Sequence, residues 1–205
     1  MTSESPQPLI SLAVLASGSG SNAAAMVEYF TAHKFCRIEG IWTNSPKAGV
    51  LSRDLSVPVH VFAPGAEDDR VIDQWKAAGI SAVVCAGYLK LIPAQWIRAF
   101  PHRIWNVHPA LLPKHGGPGM YGLHIHRAVL AAGDTESGLT VHEVSERYDE
   151  GRALFQCRVP VAPQDGPEDL QARILRAEHW ALQLVSGIRI YMIFFDKILK
   201  VERVG

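Results

Sequence analysis

Leu9-Ile10-Ser11-Leu12-Ala13-Val14-Leu15-Ala16 runs straight into Ser17-Gly18-Ser19-Gly20-Ser21-Asn22, and this junction decides the fold. An apolar run of strand length closed by glycine and serine reads as a buried strand ending in a tight turn. Helical spacing then takes over from Asn22 to Ala32. A buried strand that hands a glycine loop to a helix opens a β-α-β unit, and such units build parallel sheets covered on both faces.

The same alternation continues outward. Strands are expected at Arg37–Thr43, Val59–Phe62, Ala82–Ala86 and Ile104–Val107. Between them lie a short helix near Gly49–Leu55, a helix over Glu67–Ala78 with acidic residues at its start, and a helix over Pro93–Phe100 opened by proline. After Pro109 the pattern changes to a glycine-rich loop, Lys114–Gly122, and a short helix near Ile125–Ala132. Two strand-like runs follow, Leu139–Val144 and Ala153–Val161, and then a long helix from Pro167 to about Ser186. The expected architecture is α/β: a Rossmann-like open, mostly parallel sheet with helices on both faces and right-handed crossovers. We read residues 1–205 as a single domain, with 1–8 a polar N-terminal extension and two halves, 9–108 and 109–205, that meet where the pattern changes.

Composition narrows the function classes. The 205 residues are 48% hydrophobic and 20% charged, which suits a globular protein with a sizeable core. Twenty Lys and Arg cancel twenty Asp and Glu, so neither nucleic acid nor an anionic membrane is the expected partner. Cys36, Cys85 and Cys157 are too few and too scattered for a disulfide framework or a C-x-x-C zinc pair, which fits a reducing compartment. Met1–Pro8 lacks the basic and apolar regions of a secretory signal, so we expect a cytoplasmic protein.

In open α/β sheets, ligands sit beyond the C-terminal ends of the strands. Gly18–Asn22 lies there, and glycines ahead of a helix N-terminus suit an anion such as phosphate. The plain alternative is a turn in which Ser21 or Asn22 merely caps the helix. Gly18-x-Gly20-x-x-Ala23 also fits a dinucleotide fingerprint, but that reading needs an acid at the end of the second strand, where Trp42-Thr43-Asn44 stands instead. Asn106-Val107-His108-Pro109 ends the fifth strand. Alternation puts Asn106 and His108 on one side, and the pair suits a carbonyl reaction: an amide to steady an oxyanion, an imidazole to carry a proton. A structural hydrogen bond from His108 is the alternative. Tyr148-Asp149-Glu150-Gly151 reads as a turn, whose Asp149 would orient and charge an imidazole if the fold brings the two together. His124-x-His126 lacks acidic or cysteine companions in its loop, so no metal is expected. His142 and His179 are read as core or hydrogen-bonding residues.

These stretches resemble the folate-dependent formyltransferases, and within them the glycinamide ribonucleotide transformylases of purine synthesis. The resemblance rests on Val14–Asn22, Ala86–Ile92, Asn106–Pro113, Gly138–His142, Tyr148–Gly151 and Glu178-His179, over roughly the first 180 residues. It implies formyl transfer from 10-formyltetrahydrofolate, a co-substrate, to the amine of glycinamide ribonucleotide, by direct attack through a tetrahedral intermediate and without a metal. It implies Asn106, His108 and Asp149 as catalytic residues, with Gly20, Ser21, Asn22 and Glu178 on the ribonucleotide. Leu89, Lys90, Leu91, Ile92, Asn106 and Val144 would receive the folate. It makes 9–108 the nucleotide-binding half and 109–205 the folate and catalytic half, the partners small molecules, and the chain a monomer or homodimer. Two features depart from the family pattern. Arg70 is the nearest basic residue where one is expected after the third strand, and the 116–122 loop is longer than in many members. The tail from Ser186 also fits poorly.

Overall fold

The computed structural model describes residues 10–202, with side chains through Phe195. The polar extension 1–8 lies outside the described residues, as does Leu9. Strands β1 (Ile10–Leu15), β2 (Cys36–Thr43), β3 (Val59–Val61), β4 (Ile80–Cys85), β5 (Ile104–His108), β6 (Glu136–Glu143) and β7 (Ala153–Pro160) form one seven-stranded sheet. Its order is β3-β2-β1-β4-β5-β6-β7. The pairs from β3 to β5 are parallel, and β6 and β7 add on antiparallel. The helices are α1 (Ser21–Thr31), α2 (Asp68–Ala77), α3 (Ala94–Ala99), α4 (Leu123–Ala131) and α5 (Pro167–Glu202), with a 3-10 turn at Gly49–Ser52.

The period-two reading of β1 holds residue by residue. Leu12 and Val14 face a core built with α1, α4 and α5, including Met26, Phe30, Ile125 and Leu170. Ala13 and Leu15 face the opposite core, where Trp75 of α2 and Trp96 of α3 meet edge to face at 4.6 Å. Since β1 lies between β2 and β4, the strand order reverses beside it, and a crevice opens at the C-terminal ends of β1 and β4.

The largest departure from expectation is α5. Helix does not stop near Ser186 but continues to Glu202, 36 residues in all. No proline interrupts it, and the apolar residues after Gly187 find partners. Ile190 is fully buried, and the Phe194 ring lies 5.0 Å from Phe35. The Arg189 guanidinium sits over Trp105 and donates to the His102 carbonyl and to Glu143. The outer side stays uncovered, with Ile188, Met192 and Phe195 more than half exposed.

Candidate active site

Gly20 adopts a left-handed φ of 72°, and α1 starts at the next residue with no side-chain cap. The plain capping role for Ser21 or Asn22 is therefore absent, and the first-turn N–H groups of α1 meet no side-chain acceptor. A Cβ on Gly20 would come within 2.6 Å of Val50, so both backbone geometry and space demand glycine there. Asn22 turns inward and donates from Nδ2 to Glu178 Oε2 of α5 at 2.8 Å, while its own Oδ1 is buried without a partner. Burial pushes the Glu178 carboxyl up to about 7 against the single bond from Asn22.

At the end of β5, alternation places Asn106 and His108 on the same side, and the antiparallel register sets Asn106 opposite His142 of β6. Asp149 follows β6 in a turn, with a left-handed φ of 58° that Asp tolerates better than most residues. Its carboxylate accepts the Gly117 N–H at 2.9 Å and lies 3.5 Å from His108 Nδ1 and 3.6 Å from His142 Nε2. Burial pushes this carboxyl up, but the neighbouring His142 and His108 rings and the Gly117 N–H outweigh it and hold it below the usual carboxylate range. His108 Nε2–H donates to the His115 carbonyl at 2.8 Å, leaving Nδ1 as the basic nitrogen of the neutral ring. The expectation that Asp149 keeps His108 charged needs correcting. Asp149 does push the imidazole upward, but burial of the ring is the larger effect, and His108 rests below its ordinary value.

His142, expected from sequence in a core or hydrogen-bonding role, is buried and hydrogen-bonded. Its Nδ1–H donates to the Glu143 carbonyl at 2.9 Å, so Nε2 is free to accept from Asn106 Nδ2 at 3.1 Å. Only the antiparallel pairing of β5 and β6 brings it there, and no motif announces that pairing.

All of these groups open into one cavity of about 530 Å³. Its lining includes Gly20, Ser21, Asn22, Leu89, Lys90, Leu91, Ile92, Asn106, His108, Val144, Asp149 and Glu178, so every residue implied by the resemblance lies on it. Leu89 and Leu91 remain 45% and 44% exposed at its wall, an apolar surface left partly open. The 117–122 segment also lines the cavity. Arg70 does not; it pairs with Glu67 at 2.7 Å. Among the described residues, no group of three or more His, Cys, Asp or Glu could hold a metal ion.

The formyl transferase family model matches residues 10–186, most of the chain. The chain belongs to the formyl transferase family. The chloroplastic phosphoribosylglycinamide formyltransferase of Arabidopsis thaliana is 41% identical over 184 residues, which are 82% of this chain and 61% of that protein. The chain thus spans about three fifths of that plant relative. The phosphoribosylglycinamide formyltransferase of Escherichia coli is 31% identical over 185 residues, covering 86% of this chain and 85% of its own. Among solved structures, glycinamide ribonucleotide transformylase 1 from Symbiobacterium toebii superposes with a TM-score of 0.78 at 33% identity, covering 86% of this chain and 85% of that one. The chain carries α5 on past the match, which ends at Ser186.

Proposed function

We propose that this formyltransferase moves the formyl group of 10-formyltetrahydrofolate to the amine of glycinamide ribonucleotide, a step of purine synthesis. One observation carries the reading: a helix start open to an anion, an Asn–His–Asp cluster and an apolar wall share a single cavity. In this assignment the phosphate of the acceptor lies against the N–H groups at Gly20, Ser21 and Asn22. Glu178 meets its glycinamide portion. The pterin of the donor lies on Leu89, Lys90, Leu91 and Ile92 with Val144 opposite.

The substrate amine attacks the formyl carbon, and negative charge collects on the formyl oxygen. Asn106, whose Nδ2 gives one hydrogen to His142, has a second to offer that oxygen. A ring held neutral at rest is fitted to receive a proton. His108 Nδ1 takes it from the attacking amine and passes it to the folate nitrogen as the C–N bond to folate breaks. Asp149 stabilises the imidazolium between these two transfers. No step requires a metal. The free cysteines support a reducing compartment, which we assign as the cytoplasm.

Formyl transfer from 10-formyltetrahydrofolate, with glycinamide ribonucleotide, methionyl-tRNA and water offered in competition, tests the reading. Formylated glycinamide ribonucleotide is the expected product. Formate release or formyl-methionyl-tRNA as the main product would overturn it.

A further inference from the structure

Asn44 stands where a dinucleotide fold would place an acid for the ribose, and the proposed chemistry gives it no part. The structure uses it differently. The Ser17 hydroxyl donates to Asn44 Oδ1 at 2.5 Å, which commits its hydrogen and leaves its oxygen as an acceptor. That oxygen receives the Leu89 N–H at 3.0 Å, across 72 residues of sequence. The Ser17 N–H donates in turn to the Gly87 carbonyl at 2.9 Å. Residues 87–92 belong to no helix or strand, and Gly87 sits at a left-handed φ of 82°. Both hydrogen bonds that the described structure gives this segment go to Ser17.

We propose that Ser17, oriented by Asn44, is a positioning residue for the formyl donor: it immediately precedes the glycine loop but fixes the backbone of the opposite wall, Gly87–Ile92. The inference rests on the assignment of Leu89–Ile92 to the folate. A backbone held at Gly87 and Leu89 presents the uncovered Leu89 and Leu91 side chains at a fixed spacing, so a flat apolar ligand meets a preformed surface. Without the hydroxyl, the Leu89 N–H loses its partner and the segment must be ordered by the ligand itself. The cost then falls on donor binding, although the altered residue sits beside the acceptor.

The test compares Ser17→Ala, Asn44→Ala and Ser17→Thr with the unaltered protein, measuring KM for each substrate and kcat. A titration with 10-formyl-5,8-dideazafolate, a stable donor analogue, reads affinity apart from turnover. Ser17→Ala is expected to weaken the donor roughly tenfold, the scale of one lost hydrogen bond, in both KM and the titration. Acceptor KM and kcat should stay within about twofold, Asn44→Ala should show a smaller shift of the same kind, and Ser17→Thr should restore donor binding. An acceptor KM that rises as much as the donor KM overturns the proposal, as does an unchanged donor affinity in Ser17→Ala. If Ser17→Ala fails to fold, Asn44→Ala decides in the same way. Failure of the unaltered protein to bind the analogue would instead overturn the folate assignment.

Discussion

Two buried carboxylates line the same cavity and are pushed in opposite directions. Asp149 is reached by a backbone N–H from Gly117 and by two imidazoles, from His108 and His142. Glu178 is reached by one amide hydrogen from Asn22. Burial opposes ionisation of both, and only Asp149, beside the Gly117 N–H and two titratable rings, has surroundings that overcome it. Asp149 is thus an anion at neutral pH, while Glu178 hovers between its two forms. The difference teaches that the surrounding donors, and not the carboxyl itself, divide the labour. A fixed anion suits stabilising a transient imidazolium. A carboxyl near its midpoint suits a polar substrate group that brings its own hydrogen bond.

Asp149→Asn breaks the comparison most severely. It keeps an acceptor for the Gly117 N–H but removes the charge, so kcat is expected to fall on the order of 10²-fold or more with acceptor KM little changed. In the proposed chemistry turnover requires the neutral ring, so activity is expected to rise with pH through the His108 titration. Losing the anion should move that acid limb to still lower pH. An unmoved limb would reduce Asp149 to a turn residue. His108→Ala should lose at least as much, and the double variant should lose far less than the product of the two factors, because they act as a unit.

Glu178→Gln tests the other side. Acceptor KM is expected to rise about tenfold while kcat and donor KM hold. Effects on kcat alone would move Glu178 into the chemistry.

Stability against pH sharpens the contrast further. The Glu178 carboxyl is raised from 4.5 to about 7 on folding, so the folded state holds more protons within that window. Stability falls as pH climbs through it, and Glu178→Gln should flatten that slope. Asp149 is lowered from 3.8, so its contribution is present above that value and lost as pH falls below it. Asp149→Asn should blunt acid unfolding. Thermal melts across pH 3 to 8 read both. The smallest expected effect is from chelation: EDTA should leave activity unchanged, and zinc-restored loss would implicate His124 and His126.

The sheet was legible because β1 to β5 are short apolar runs bounded by glycine or proline, and their period survives in the structure. The glycine loop was legible for the same reason, since Gly20 is demanded by backbone geometry that sequence records directly. Interactions set by non-local pairing were not. His142 gains its place from the register of β6 against β5, and Ser17 from a contact 72 residues away. The resting state of His108 was misjudged because sequence named its carboxylate neighbour but not the depth of its burial. The end of α5 was missed because Arg189 and Phe194 find Trp105 and Phe35, partners far away in sequence.

The opposite states of the two carboxylates are tested most directly by a carbon-13 NMR titration of side-chain carboxyls, with Asp149→Asn and Glu178→Gln used to assign the signals. The expected result is a Glu178 midpoint near 7 and an Asp149 signal that stays ionised until pH falls below 3.8. A Glu178 midpoint near 4.5, or an Asp149 signal that titrates above 3.8, would contradict the account.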